Sequence, residues 1–274
     1  MSNMVINHNM LAINSHRSLK LTGGDQSKAV EKLSSGLRIN RAADDAAGLA
    51  ISEKMRAQIR GLEQASRNAQ DGISMIQTAE GAINETHAIL QRMRELAVQS
   101  ATGTYQDTDR ELIDKEVQEL IKELDDITVK TEFNKMKLVD GSLSGGVTFH
   151  VGPNSDHKFD VEMVNATAEA LGVKGVAITT QSGARTAIDT IDKAIIDVAE
   201  FRAQLGAVQN RLEHTIKNVD ISAENLQAAE SRIRDTDMAK EMSNFVRTNI
   251  LQQAATSMLA QANQAPQMVL QLLR

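Results

Sequence analysis

The chain has 274 residues, 30 basic and 36 acidic side chains, a formal net charge of −6 and no cysteine. The acidic balance argues against a nucleic-acid partner, which needs basic surface to displace counterions, and the lack of cysteine excludes disulfides and thiolate chemistry. Aromatic residues make up only 2%, so the core has to be aliphatic, as in bundles of long helices. No apolar run approaches the roughly 18 residues that span a bilayer.

The N-terminal segment has the pattern of a helix with two glycines near its centre. Apolar residues at helical spacing occur on both sides of Gly23 and Gly24, and they are Ile6, Met10, Ile13, Val30, Leu33 and Leu37. Each glycine costs about 1 kcal/mol relative to alanine inside a helix. The pattern therefore leaves open whether this helix continues, kinks or breaks at the glycine pair. The first residues lack the basic and apolar regions of a cleavable signal peptide.

A long helix is predicted from about residue 45 to 99 because apolar residues recur there in heptads. One seam consists of Leu62, Ala69, Ile76, Ile83, Leu90 and Ala97. A second seam, interrupted at Thr86, consists of Met75, Ala79, Ala82, Ile89, Met93 and Leu96. Two adjacent seams form a wider stripe than a two-stranded coil needs, so this helix is expected to contact more than one neighbour.

Further elements follow in chain order. Gly103 predicts a stop, and Thr108 with Glu111 has the spacing of a capping box that starts a shorter helix. A third heptad run begins near Ala184. Between them, VTFHV and FDVEM alternate apolar and polar residues around GPNSD, which predicts a β-hairpin within a Gly-rich tip at 141–183. The fold class predicted is mainly α, a long-helix coiled-coil bundle with a small β-hairpin region in the middle.

The C-terminal segment is apolar on a broad face although chain ends are normally polar. The residues expected to pack there include Met242, Phe245, Ile250, Leu251, Met258, Leu259, Val269, Leu270, Leu272 and Leu273. Burying the apolar face between Met238 and Ala262 in a lone helix does not offset the entropy of ordering the backbone. We therefore expect both termini to order against other copies of the chain.

No constellation of residues predicts catalysis, a metal or a cofactor. The six histidines lack metal-binding spacing, and Asp44 with Asp45 fits a helix N-terminus better than a carboxylate pair. The methionines of the C-terminal stripe suit either an adaptable binding surface or packing between repeated subunits. An amphipathic membrane-surface helix is a further alternative, which the Gln/Asn-rich polar face disfavours.

Several long strings resemble bacterial flagellin. They include EKLSSGLRINRAADDAAGLAISEKMRAQIRGL, NAQDGISMIQTAEGAINETHAILQRMRELAVQSA, TEFNKMKLVDG, LGAVQNRLEHTIKN, AAESRIRDTDMAKEM and MLAQANQAPQMVLQLLR. The resemblance implies a structural subunit that self-assembles into the flagellar filament. It also implies an inner coiled-coil layer at 1–44 and 232–274 with a spoke, and an outer helical domain at 45–231 without large variable domains.

The resemblance also implies partners and a location. The subunit is expected in an extracellular filament, exported without a cleaved signal peptide, after binding a secretion chaperone, and next to filament-cap and hook–filament junction proteins. A host Toll-like receptor is expected to recognise Gln91, Arg92, Leu96 and Glu116. A hook–filament junction protein of the same apparatus, or a soluble coiled-coil or membrane-surface binding protein, remains the alternative interpretation.

Overall fold

The computed structural model of the protein describes residues 8–272, with side chains through residue 264. This part of the chain contains five helices and two short hairpins. The helices are α1 (Met10–Ser35), α2 (Ala46–Ala101), α3 (Asp107–Lys130), α4 (Gln181–Arg234) and α5 (Met238–Leu272). The strands are β1 (Glu132–Phe133), β2 (Met136–Lys137), β3 (Val147–His150) and β4 (Lys158–Val161). The predicted fold class is confirmed.

The described residues divide into two compact units. One comprises Gln58–Glu224, and the other comprises the described parts of Met1–Ala57 and Asn225–Arg274. Helices α2 and α4 each contribute to both units.

The core of the unit Gln58–Glu224 is aliphatic and confirms the two predicted seams of α2. Ile76, Ile83 and Leu90 are fully buried, as are Met93 and Ala97. Thr86, which interrupts the second seam, is also buried. Its Oγ1 donates to Ala82 O of the same helix at 3.1 Å. From α4, the same core receives residues spaced by seven, namely Ile191, Val198, Leu205 and Leu212. Helix α3 adds Val117, Ile121 and Leu124.

Both hairpins are antiparallel. The predicted hairpin is confirmed as β3 and β4, in which Phe149 lies opposite Phe159. Phe149 also packs on Gly72 of α2, where an added Cβ would lie 3.1 Å from the ring. The β1–β2 hairpin was not predicted, and its two-residue turn places Asn134 and Lys135 at positive φ.

The structure answers one question that the sequence left open and corrects one helix boundary. Helix α1 runs without interruption through Gly23 and Gly24, so the glycine pair does not break it. The predicted capping box at Thr108 and Glu111 is wrong by two residues. The structure caps α3 at Gln106, whose backbone N–H donates to Asp109 Oδ2 at 3.2 Å, because the chain has already turned into the helix before Thr108.

Candidate subunit interface of the terminal helices

Helices α1 and α5 pack against each other in opposite directions. Asn9, the N-cap residue of α1, donates from Nδ2 to Ala262 O at 2.7 Å, while Thr236 N donates to Gly36 O at 3.0 Å at the other end of the pair. Asn9 Oδ1 also accepts from Ala12 N, and Asp237 Oδ1 accepts from Ala239 N and Lys240 N. Each helix therefore begins at a side-chain cap that satisfies its free N–H groups.

The seam between α1 and α5 consists mainly of small and polar residues. Less exposed positions of α1 that recur at steps of three and four include Ala12, Ser15, Leu19, Thr22, Gln26, Ala29 and Leu33. The corresponding positions of α5 are Phe245, Thr248, Gln252, Ala255, Leu259 and Ala262. Small side chains let the two helices approach, but they bury little apolar area for each residue.

Most of the large aliphatic residues of this pair lie outside the seam. Of the predicted packing residues, Met10, Ile13, Val30, Met242, Ile250, Leu251 and Met258 are exposed, whereas Leu33, Phe245 and Leu259 are half-buried in the seam. Sequence spacing missed Leu11 and Leu21, which are also exposed on α1. Ile6 and Leu273 lie outside the described residues, and the side chains of Val269, Leu270 and Leu272 are not described.

The exposed aliphatic residues of α5 line a shallow groove. Its volume is 530 Å³, and it is bounded by Met242, Ser243, Val246, Arg247, Ile250 and Leu251. Since an α-helix turns by about 100° per residue, this groove and the seam with α1 occupy different sides of α5. A helix that is apolar on several sides is normally surrounded by other helices.

A short connection holds the helix ends of this unit together. Arg38 N donates to Arg234 O at 2.7 Å, and Leu37 pairs with Asp235 in an isolated antiparallel bridge. Arg234 NH1 then reaches Glu53 Oε1 at 2.6 Å. Backbone pairing therefore fixes the two points where the chain enters and leaves the terminal helices.

Asp44 and Asp45 have structural roles at the start of α2. Asp45 Oδ1 accepts from Gly48 N at 2.9 Å, as the predicted helix N-terminus requires. Asp44 Oδ2 accepts from Asn40 N and Arg41 N at 3.1 and 3.0 Å, and these hydrogen bonds, that from Arg41 foremost, lower the pKa of the Asp44 carboxyl below its ordinary value. In the described part of the chain, no three His, Cys, Asp or Glu side chains come together as a metal site would require.

The four residues expected to be recognised by a receptor are only partly accessible. Arg92 Nε and NH2 donate to Glu116 Oε1 at 3.0 and 2.8 Å on the exposed surface of α2 and α3. Gln91 is exposed beside them and bonds to His87. Leu96 is only 2% exposed and belongs to the core, because the heptad spacing of α2 turns it inward, and its part in receptor recognition stays a prediction.

Paired long helices that leave large aliphatic residues uncovered are typical of the class of proteins that bind partners through apolar surfaces. Comparison with known proteins defines the family. The bacterial flagellin N-terminal helical region matches residues 6–144, and the C-terminal helical region matches 188–273. The chain therefore belongs to the bacterial flagellin family, whose members are structural subunits of the extracellular flagellar filament.

Individual relatives agree over the whole length. The chain is 58% identical to a flagellin of Halalkalibacterium halodurans, over 99% of this chain and 100% of that protein. It is 52% identical to a flagellin of Bacillus subtilis and 51% identical to the flagellar filament 31.3 kDa core protein of Treponema maltophilum, both with the same coverage. The crystal structure of Bacillus cereus flagellin matches 60% of this chain and 94% of that chain, with 32% identity and a TM-score of 0.51.

The alternative interpretations are not favoured by these matches. A putative flagellar hook-associated protein from Vibrio parahaemolyticus matches 70% of this chain with a TM-score of 0.59, but at 13% identity it shares the fold alone. No helix in the described residues has the length and apolarity to cross a bilayer.

Proposed function

We propose that this flagellin adds to a growing filament through the outer faces of α1 and α5, which neighbouring copies cover and thereby order. The observation that carries the proposal is the distribution of apolar residues in the terminal pair. Small and polar side chains fill the seam within one chain, while Met10, Ile13, Ile250 and Leu251 are exposed. A pair built in this way gains most of its apolar burial from other copies.

The predicted layers form part of this proposal. An inner layer at 1–44 with 232–274 and an outer layer at 45–231 are supported by the helix ends near both boundaries, since α2 begins at Ala46 and α4 ends at Arg234. The two compact units divide at different positions, after Ala57 and after Glu224. Because each added copy presents the same outer faces again, the contact is heterologous and propagates into a helical array instead of closing.

Seeded growth of filaments tests the proposal. Purified chains are mixed with sheared filament fragments, and elongation is followed by light scattering and electron microscopy. Ile250→Glu places an unpaired charge on the groove of α5, so we expect elongation to fall more than about 100-fold, because burying an isolated charge costs several kcal/mol. Ile250→Leu keeps the apolar surface and serves as the matched control.

The two variants separate assembly from folding. Ile250 is exposed in the single chain, so both variants should match the native chain in circular dichroism and thermal unfolding. Elongation of Ile250→Glu at the native rate would refute the proposal. Failure of the native chain itself to extend seeds would refute the filament role of these faces directly.

Partners outside the homopolymer belong to the same proposal. A secretion chaperone would cover the exposed face of α5 before export, and cap and hook–filament junction proteins would meet the terminal helices at the ends of the filament.

A Toll-like receptor would contact Arg92, Glu116 and Gln91, whose side chains are exposed together on one surface. Arg92→Ala should weaken activation of receptor-bearing reporter cells. The control Arg185→Ala changes an exposed arginine of α4 and should leave activation unchanged. Equal activation by both variants would contradict the receptor contact.

A further inference from the structure

Methionine is distributed unequally between the two units. In the terminal helices Met10, Met238, Met242 and Met258 are exposed, with exposed fractions from 46% to 61%. In the unit Gln58–Glu224 the buried methionines are Met75, Met93 and Met163, each exposed by 6% or less. Met136, in β2 of the same unit, is exposed by 38%. The chain thus contains exposed thioethers on its assembly faces and protected thioethers in its core.

At least two of the exposed methionines lie on an apolar surface that the proposed assembly would bury. Met242 lines the groove of α5 together with Val246 and Ile250. Met238 precedes it by one helical turn on the same side. On the proposed function these side chains pass from water into an apolar contact when a copy joins the filament.

We propose that Met10, Met238, Met242 and Met258 form an oxidation-sensitive modification site that controls whether an unassembled chain can add to a filament. The inference rests on the proposed function of the terminal helices. The reagent that modifies these residues is a peroxide, and the product is methionine sulfoxide.

The chemistry is balanced with hydrogen peroxide as the oxidant. The thioether sulfur attacks one peroxide oxygen, the O–O bond breaks, and an S–O bond forms. Sulfur is oxidised by two electrons, and the second peroxide oxygen leaves as water after proton transfer. The sulfoxide replaces a flexible apolar side chain by a polar one. A methionine sulfoxide reductase supplied with a dithiol reductant reverses the change, because the dithiol is oxidised to a disulfide and the sulfoxide oxygen leaves as water.

A sulfoxide on these faces blocks addition for a physical reason. The S=O group is hydrated in the free chain, where it is exposed and leaves folding of the unit Gln58–Glu224 unaffected. Addition to a filament would bury it among aliphatic side chains such as Val246 and Ile250, where an unpaired polar group is unfavourable. Oxidised chains are therefore excluded from growth while they remain folded.

Peptide mass spectrometry tests the chemical part. Unassembled chains are treated with dilute hydrogen peroxide, and sulfoxide is measured at each methionine with time. We expect Met10, Met238, Met242 and Met258 to oxidise at least about tenfold faster than Met75 and Met93, since oxidation follows exposure. Equal rates at exposed and buried methionines in a chain that stays folded by circular dichroism would overturn the inference.

Seeded growth tests the functional part in the same samples. Peroxide-treated chains should extend filament seeds at least about tenfold more slowly than untreated chains, and methionine sulfoxide reductases should restore the rate. Normal extension by chains that carry the four sulfoxides would overturn the inference. Failure of untreated chains to extend seeds would instead overturn the proposed function and the control of assembly with it, while the oxidation rates would still test the site.

Two variants assign the effect to these residues. In the variant with Met10, Met238, Met242 and Met258 all changed to leucine, the ratio of treated to untreated growth rate should stay near one, whatever the starting rate. The matched control Met136→Leu should remain as sensitive as the native chain. A quadruple variant that is still inhibited would assign the inhibition to other methionines and overturn the inference.

Discussion

In the unit Gln58–Glu224 four large aliphatic residues of α4 recur every seven positions and are buried with residues of α2 and α3 in one core, and they are Ile191, Val198, Leu205 and Leu212. In α1 and α5 the positions that recur in the same way hold mainly alanine, serine, threonine and glutamine, and most of the large residues face outward. The same periodicity thus builds a self-sufficient core in one region and an incomplete one in the other.

The difference shows how one chain can be both stable and ready to assemble. A core that buries its own large residues gains stability without partners. A helix pair with a small, polar seam gains less from its own packing. On the proposed function, folding and assembly therefore depend on separate parts of the chain.

The first test of this difference removes one large side chain from each region and compares the loss of stability. Ile83→Ala deletes a fully buried side chain of α2 and should lower the free energy of unfolding by about 2–5 kcal/mol. Leu33→Ala deletes a half-buried side chain of the terminal seam and should shift the same main transition by less than about 1 kcal/mol. Thermal unfolding of the unassembled chain measures both, and equal losses would contradict the division.

A buried arginine provides a second test, confined to the unit Gln58–Glu224. Arg110 donates to Ser100 O and Thr102 O, both at 2.9 Å, and to Asp107 Oδ1 at 2.8 Å. It therefore joins the last carbonyl groups of α2 to the first turn of α3. Arg110→Met leaves those carbonyl groups without a donor, and the free energy of unfolding should fall by about 2–3 kcal/mol.

The control for this variant is Arg185→Met, at an exposed position of α4. Hydrogen exchange at the end of α2 should accelerate in Arg110→Met and not in the control. Unchanged exchange near Ser100 would show that the arginine does not hold this corner.

Making the terminal seam resemble the core sharpens the comparison. Gln26 and Gln252 are half-buried seam positions of α1 and α5. Changing both to leucine should raise the opening free energy of the α1 and α5 amides in the unassembled chain by about 1 kcal/mol, because more apolar area is buried within the pair. Hydrogen exchange measures it, and Gln261→Leu, at an exposed position of α5, is the control that should show no gain.

The sequence predicted those parts of the molecule that periodicity alone determines. The seams of α2 follow from heptads, and the β3–β4 hairpin follows from alternation around a Gly/Pro turn. Periodicity could not show which apolar side of α5 faces α1, because apolar residues occur on several of its sides. The turn at Asn134 and Lys135 was missed since neither residue is glycine. The heptads did place Leu96 in a seam of α2, where it is buried, and its part in receptor recognition stays a prediction.

The smallest effect concerns the loop that connects the terminal helix to α2. Hydrogen bonds from the backbone N–H groups of Arg41 and Asn40 hold the pKa of Asp44 below its ordinary value of 3.8. A carboxyl whose pKa is lowered by folding stabilises the fold above its unfolded pKa, and that contribution is lost as the pH falls through the folded pKa. Asp44→Asn should therefore accelerate exchange of the Asn40 and Arg41 amides at neutral pH, while the main unfolding transition stays unchanged.

The pH dependence separates this carboxylate from a general effect of charge. As the pH falls below 3.8, native Asp44 becomes protonated and the difference in loop stability between the native chain and Asp44→Asn should shrink. Asp220→Asn, at an exposed position of α4, should leave the loop amides unaffected at every pH. The difference in loop stability between the native chain and Asp44→Asn could instead grow as the pH falls. That result would contradict the sign derived from these two hydrogen bonds and would show that other contacts order the loop.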